Sequence, residues 1–154
     1  MFPLPDHDHQ SCRVDATARA SALCKERGAR LTPLRRSVLE FVWDGHKPIG
    51  AYEILERLRG ERGAVAPPTV YRALEFLLAH GLVHRIESLN AYVGCPHPDG
   101  DHGGQFLICS GCGAAAELND AAIDGAIQTS AEDLGFTVGR RTIEVEGLCA
   151  DCQK

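Results

Sequence analysis

The sequence predicts an α+β fold with two unlike halves, a helical half followed by a smaller half of mixed helix and strand. Apolar residues recur at helical spacing through residues 15–80, and short strand-like runs appear only after them. Charge divides in the same region, because residues 13–87 carry 13 basic against 9 acidic residues and residues 88–154 carry 3 against 10. Both Cys-x-x-Cys pairs lie in the second half. We therefore expect two modules, of which only the first suits a polyanion.

Composition limits where the protein works and what its cysteines do. The chain has 154 residues and no apolar run of 18, so neither a transmembrane helix nor a membrane partner is expected. Its first residues, "MFPLPDHDHQSC", lack the basic and apolar regions of a signal peptide. We expect a cytoplasmic protein, whose thiols stay reduced. The seven cysteines should then be metal ligands or core residues rather than disulfides.

Helix signals recur four times in the first half. Residues 15–25 form the first candidate, and Thr32 as a cap before Pro33 marks the start of the second. The third helix should end at Gly60, and the fourth, which follows "VAPP", at Gly81. The stripes that the last three helices should bury are Leu34, Val38, Phe41 and Val42, then Ala51, Ile54, Leu55 and Leu58, then Val70, Leu74, Leu77 and Leu78.

Two short strand-like runs, "LVHRIES" and "AYVG", follow the fourth helix. Short helices followed by a two-stranded hairpin predict a winged helix-turn-helix domain over residues 15–94, after a flexible tail over residues 1–14. A small helical domain without a ligand is the alternative. On the fourth helix, Thr69, Tyr71 and Arg72 lie off the buried face, where a partner can reach them.

A linker and a small α/β domain are predicted for the rest of the chain. Residues 95–104, "CPHPDGDHGG", have the Pro, Gly and Asp content of a linker. Residues 105–154 should form strands on either side of the first cysteine pair, then a helix capped by Asn119 that carries Leu134. A last strand should place Ile143 and Val145 on one face. Because a domain of about 50 residues buries little core, we expect it to dimerise or to need a metal.

The two cysteine pairs, Cys109 with Cys112 and Cys149 with Cys152, predict a structural zinc site. Each turn presents two sulfurs, and tetrahedral zinc binds four ligands. The 36 residues between the pairs exceed the usual ribbon spacing, but a helix and a strand can fill that excursion. A thioredoxin-like redox pair is the alternative. A structural zinc site would contribute on the order of 10–16 kcal/mol to folding.

Further potential ligands lie around the linker. They are His80, His84, Cys95, His97, His102 and Glu117. A site drawn from them would bridge the two domains, and one thiolate, two imidazoles and one carboxylate suit tetrahedral zinc better than iron or manganese. The alternative is that each is an ordinary surface residue. Near the N-terminus, His7, His9 and Cys12 belong to a solvated tail or bind metal, and Cys24 should lie in the core.

Four segments together resemble the ferric uptake regulator family, and most closely its zinc uptake regulator branch. They are "RLTPLRRSVLEF", "APPTVYRALEFLLAHGLVHRIES", "FLICSGCGAAAEL" and "EVEGLCADC". The likeness runs from about residue 20 to residue 152. It implies a zinc-responsive transcriptional repressor, a homodimer that binds double-stranded operator DNA of zinc uptake genes when it is loaded with zinc at two sites per subunit.

The resemblance also implies roles for single residues. The cysteine quartet would hold the structural zinc, and the regulatory zinc would be bound by His84, Cys95, His102 and Glu117. Tyr52 and Arg72 would read the DNA, since a guanidinium can donate two hydrogen bonds to a guanine edge. Other expected DNA contacts are Thr69, Arg35, Arg36 and Arg57. For the last three, a solvated charged face is the alternative explanation.

Alternatives remain at three levels. The loop after Cys95 varies in length in this branch, so His97 could replace His102. Fewer histidines precede Cys109 than in iron-sensing relatives, which favours zinc over iron. An iron, manganese or peroxide sensor is the alternative within the family. A zinc-ribbon interaction module without DNA binding is a rival of a different class. The sequence has no G-x-S-x-G, P-loop or dinucleotide fingerprint, so we expect no enzymatic activity and no small-molecule substrate other than the metal ion.

Overall fold

The computed structural model describes residues 8–100 and 104–154. In these two ranges the helices are α1 (His9–Glu26), α2 (Pro33–Val42), α3 (Ala51–Arg62), α4 (Pro67–Ala79) and α5 (Ala121–Asp133). The strands are β1 (Ile49–Gly50), β2 (Val83–Ile86), β3 (Ala91–Gly94), β4 (Gln105–Cys109), β5 (Ala115–Leu118) and β6 (Ile143–Gly147). No helix of the described residues is long and apolar enough to cross a bilayer. The predicted α+β fold class is confirmed.

The main core lies among α1 to α4 and the hairpin of β2 and β3. The predicted stripes are largely buried there, with Val38, Ile54, Leu58, Val70 and Leu77 almost fully enclosed. In α2 the position next to the predicted stripe, Leu39, is buried, whereas Phe41 packs at the edge of the core. Cys24 is a core residue of α1, as its apolar neighbours indicated. Helix α4, which carries the predicted DNA contacts Thr69 and Arg72, is therefore packed firmly against this core.

Three helix boundaries differ from the predictions. Helix α1 begins at His9 instead of residue 15, because the Asp8 side chain accepts a hydrogen bond from the backbone N–H of Gln10. Gly60 lies inside α3, which ends before Gly63, where φ is 79°. Asp120 caps α5 in place of Asn119. Leu134 follows that helix and is 85% exposed.

The first sheet forms the wing, which we define as residues 83–94. Strands β2 and β3 pair antiparallel, and β1, too short to be recognised in the sequence, adds to β3 through Ile49 opposite Tyr92. Gly94 ends β3 against the indole of Trp43, and a Cβ at this position would overlap with the ring. The wing is thus anchored to the end of α2 directly before Cys95.

The second sheet has the order β5–β4–β6, with β4 antiparallel to β5 and parallel to β6. In its register, Phe106 lies between Glu117 on one side and Glu144 on the other. Paired residues point to the same face of a sheet, so these three side chains form one row. Apolar contacts of Ile86 with Phe106 join the wing to this sheet. Residues 95–104 connect the two sheets, and the limits of the linker and of the flanking domains stay predictions.

Candidate metal sites and nucleic-acid surface

The four cysteines of the two Cys-x-x-Cys pairs come together at one end of the second sheet. Their sulfur atoms all lie within 4.8 Å of one another, and Cys112 Sγ lies 3.9 Å from Cys149 Sγ. Four thiolates around a zinc ion, with Zn–S bonds of about 2.3 Å, place their sulfurs about 3.8 Å apart. Gly111 passes so close that a Cβ would lie 2.9 Å from Cys152 Sγ. This group, which we call the four-cysteine cluster, has the dimensions of a tetrahedral zinc site.

Hydrogen bonds make the sulfurs of the four-cysteine cluster unequal. The backbone N–H groups of Cys149 and Cys112 point at Cys109 Sγ, at 3.3 and 3.5 Å, and lower the pKa of this thiol to about 6. Hydrogen bonds with the side chains of Cys149 and Cys109 raise the pKa of Cys152 to about 12. The cluster therefore favours one thiolate and resists becoming fully ionised, and a divalent cation would overcome that resistance.

A second cluster joins three segments that are distant in the chain. His84 lies on β2, Cys95 follows β3, and Glu117 lies on β5, yet their ligand atoms fall within 4.8 Å of one another. His84 Nε2 lies 3.3 Å from Glu117 Oε1, and the His84 ring meets the edge of Phe106. Ligands about 2.0 Å from a tetrahedral zinc ion are separated by about 3.3 Å. We call these three residues the bridging cluster.

The thiol of Cys95 is shielded from solvent, with 3% of the residue exposed. Burial, together with the negative charge of Glu117, raises the pKa of Cys95 to about 12. Without a cation, this sulfur carries a proton at neutral pH. A metal ion would favour the thiolate by supplying the positive charge that the buried site lacks.

The remaining candidate ligands are distributed differently. His102 lies outside the described residues, so the structure brings together three of the four predicted ligands. His97 is exposed and lines a cavity of about 300 Å³ together with Glu117, but it does not belong to the bridging cluster. His80 follows the last turn of α4 and its ring packs on Phe76. His7 also lies outside the described residues, whereas His9 is helical, with its ring centroid 4.9 Å from that of His46.

Two aromatic residues of α3 and α4, Tyr52 and Tyr71, are exposed, as is the predicted DNA-reading Arg72. Tyr52, in the first turn of α3, is 74% exposed, and Tyr71 on α4 is 52% exposed. Arg72 is exposed beside Tyr71, and Thr69 is half-buried in the first turn of α4. Tyr52, Tyr71 and Arg72 are therefore accessible to a duplex, and the contacts of these residues and of Thr69 with DNA stay predictions.

The three other arginines predicted to contact phosphates have partners within the domain. The Arg35 guanidinium stacks 3.7 Å from the centre of the Phe76 ring. Arg36 donates a hydrogen bond to Ser21 Oγ at 2.8 Å. Arg57 pairs with Asp44 at 3.0 Å and with Glu53 at 2.7 Å. Phosphate contacts by these side chains would compete with the packing of α1 to α4.

Contacts with the linker were not apparent from the sequence. Arg19 on α1 donates to the carbonyl oxygen of Pro96 at 2.6 Å, directly after Cys95. Arg27 donates to the carbonyl oxygens of His80 at 2.7 Å and Pro98 at 3.4 Å. The two arginines lie some 70 residues before the linker carbonyls that they contact. Nothing in the sequence marks so distant a partner, so no sequence pattern could have identified these contacts.

Comparisons with known proteins agree with this arrangement. The model of the Ferric uptake regulator family matches residues 26–146. The zinc uptake regulation protein of Escherichia coli (strain K12) is 41% identical over 136 residues, which cover 88% of this chain and 80% of that protein. A structure of a zinc uptake regulator complexed with zinc and DNA superposes with a TM-score of 0.85 at 38% identity, covering 96% of this chain and 97% of that one.

Two structures of one similar protein differ in their likeness to this chain. Holo XcZur has a TM-score of 0.81 at 47% identity and covers 89% of this chain and 96% of its own. Apo XcZur has a TM-score of 0.54 at 46% identity, with coverage of 92% and 98%. At nearly equal identity, the structure described here is therefore more similar to the holo form than to the apo form. Family match, sequence identity and fold together show that the chain belongs to the ferric uptake regulator family, with zinc uptake regulators among its similar members.

Proposed function

We propose that this protein is a zinc-responsive transcriptional repressor, and that its zinc-loaded homodimer binds operator DNA of zinc uptake genes. The observation that carries the proposal is the bridging cluster, because His84 belongs to the wing, Cys95 to the linker and Glu117 to the second sheet. A metal site built from these segments connects the DNA-binding half to the rest of the molecule. The similar zinc uptake regulator that holds zinc and DNA in one complex supports the assignment.

The bridging cluster would act as the regulatory site, with His102 as its fourth ligand. A zinc ion bound there would supply a tetrahedral cross-link between the wing and the second sheet. We call the arrangement in which the wing lies on the second sheet the closed state. Shifting the population of the closed state from 1% to 99% takes about 5.5 kcal/mol of difference in zinc affinity between the closed and the open state. The higher TM-score with the holo than with the apo form of XcZur, at nearly equal identity, supports a change in the relative placement of the halves.

The four-cysteine cluster would be the structural zinc site, since all four ligands belong to the second sheet and its turns. The same half exposes a group of large apolar side chains, namely Leu134, Phe136, Val145 and Leu148. Helix α5 has no buried residue in the single chain. Covering these surfaces in a homodimer is consistent with a domain too small to fold around its own core. The protein would act as a regulator rather than an enzyme, in the cytoplasm with the chromosome.

Tyr52 and Arg72 would read bases from the exposed faces of α3 and α4, with Thr69 as an additional contact. Two such surfaces in a dimer would address two half-sites on one side of the duplex. The wing, which carries His84, directly follows α4 in the chain. Fixing the wing therefore also fixes the direction in which Arg72 points.

An operator-binding titration against buffered free metal tests the proposal. Fluorescence anisotropy of a labelled operator fragment would be followed with zinc, iron(II) and manganese(II). We expect binding at the lowest free concentration for zinc. Operator binding that ignores all three ions, or that responds to iron at lower free concentrations, would contradict the proposal. Cys12→Ser is a matched control, because Cys12 belongs to neither cluster among the described residues.

A further inference from the structure

Glu144 on β6 holds the turn of the wing. Its carboxylate accepts hydrogen bonds from two consecutive backbone N–H groups, those of Glu87 at 2.6 Å and Ser88 at 3.0 Å. Arg140, in the same half as Glu144, pairs with the Glu87 side chain at 3.0 Å. The turn between β2 and β3 is thus bound by groups more than 50 residues further along the chain.

The charge of Glu144 strengthens this contact. Burial alone would raise the pKa of the Glu144 carboxyl, but hydrogen bonds from Ser88 and from the backbone of Glu87 outweigh it and lower the pKa. The side chain is therefore ionised at neutral pH. Hydrogen bonds to an ionised acceptor are about twice as strong as those between neutral groups.

The register of the second sheet places Glu144 two strands away from Glu117 of the bridging cluster. Glu117, Phe106 and Glu144 form one row across β5, β4 and β6, so Glu117 and Glu144 are two strand spacings apart, about 9.6 Å. His84 on β2 and Glu87, the first residue after β2, are three positions apart, about 10 Å of extended chain. The wing therefore meets this row at two points with matching separations, His84 at Glu117 and the turn at Glu144.

Two anchors restrict the wing more than one does. A connection at His84 alone would leave the DNA-binding half free to rotate about that point. A second contact about 10 Å away limits this rotation to the axis through the two contacts, and the packing of Ile86 on Phe106 limits it further. We propose that Glu144 is a positioning residue of the repressor, which docks the wing turn on the second sheet so that the closed, metal-loaded protein presents α4 to operator DNA. This inference rests on the proposed function, but it assigns a role to a residue that is no metal ligand.

Glu144→Gln tests the inference, because it keeps the shape of the side chain and removes its charge and one acceptor. The matched control is Glu146→Gln, an exposed position on the same strand whose side chain makes no hydrogen bond within the described residues. Both variants would be studied as full-length dimers loaded with zinc. Operator affinity should fall about tenfold or more in Glu144→Gln and stay unchanged in Glu146→Gln. Zinc content and dimerisation should be the same in both.

Hydrogen exchange measured without DNA tests the contact independently of repressor function. In the zinc-loaded wild type, the amides of Glu87 and Ser88 should exchange slowly, and in Glu144→Gln about tenfold faster or more. Equal exchange of these amides in the two proteins, or unchanged operator affinity of Glu144→Gln, would overturn the inference. If the wild type shows no zinc-dependent operator binding while these amides are protected, the proposed function is refuted, but the docking contact remains supported. If Glu144→Gln fails to fold, Glu144→Asp, which keeps the charge but shortens the reach, should show the same two losses.

Discussion

The two candidate metal sites, one with four cysteines and the other with a histidine, a cysteine and a glutamate, differ most in where their ligands come from. All four sulfurs of the four-cysteine cluster come from the end of β4 and from the segments that follow β4 and β6, within one half of the molecule. The bridging cluster takes His84 from the wing, Cys95 from the linker and Glu117 from the second sheet. Removing a metal from the first cluster would unfold a half, whereas removing it from the second would only separate two halves. The segments of the chain that supply the ligands, more than the chemistry of the ligands, distinguish the proposed structural site from the proposed switch.

The largest expected effect follows from breaking the four-cysteine cluster. Cys112→Ser should lose the structural zinc and with it a large part of the folding free energy, on the order of 10 kcal/mol. The second half should then unfold and the dimer should dissociate. Circular dichroism and sedimentation measure both effects, with Cys12→Ser as the control. A normal dimer of Cys112→Ser would show that the cluster is not structural.

A smaller and more selective effect is expected at the bridging cluster. Cys95→Ser should abolish zinc-dependent operator binding, a loss of up to about 10⁴-fold if the closed state is reached only with zinc. The dimer and the zinc of the four-cysteine cluster should remain, because Cys95 contributes to neither. Metal analysis and fluorescence anisotropy check the two statements. A Cys95→Ser protein that responds normally to zinc would remove the bridging cluster from the mechanism.

A change on the DNA-reading surface should leave both clusters intact. Arg72→Lys keeps the charge but loses the two-pronged hydrogen bonding of a guanidinium, so it should lose about 1–3 kcal/mol of discrimination between operator and random DNA. The zinc affinity of the free protein should not change. Competition binding with both DNA fragments provides the measurement. Undiminished discrimination would mean that Arg72 does not read a base.

Zinc binding should depend on pH, because each cluster contains a thiol that must lose its proton. Because the pKa of Cys95 is about 12, this thiol is protonated between about pH 7 and 9, and zinc binding releases one proton. The zinc affinity of the bridging cluster should therefore rise about tenfold per pH unit. In the four-cysteine cluster, Cys109, with a pKa of about 6, is already ionised in this range, whereas Cys152, with a pKa of about 12, also releases a proton when zinc binds. Competition with a zinc indicator measures the slope, and an affinity independent of pH would contradict the protonated state of Cys95.

Local signals explain what the sequence could predict. The cap Thr32 before Pro33 correctly marked the start of α2, and the Thr32 side chain accepts a hydrogen bond from the backbone N–H of Arg35. The spacing of the Cys-x-x-Cys pairs indicated a cluster whose sulfurs the structure brings together. Helix α1 was predicted too short because its first turns carry polar residues and its cap, Asp8, lies in a segment that resembles a tail.

Contacts between distant segments explain what the sequence could not predict. In the sequence, Glu144 lies between Ile143 and Val145 with no sign of a partner, and its two amide partners lie in a turn of the other half. The stacking of Arg35 on Phe76 likewise depends on how α2 packs against α4. The resemblance, and not any spacing, selected His84, Cys95 and Glu117 from the larger set of candidate ligands. Such contacts depend on tertiary structure.

The central claim is that zinc at the bridging cluster and operator binding are coupled. The most direct test measures the zinc affinity of this cluster, in protein whose four-cysteine cluster is filled, with and without saturating operator DNA. Linkage requires operator DNA to tighten zinc binding by the same factor by which zinc tightens operator binding. We predict that the two factors are equal and well above one. A zinc affinity that operator DNA leaves unchanged would contradict the account.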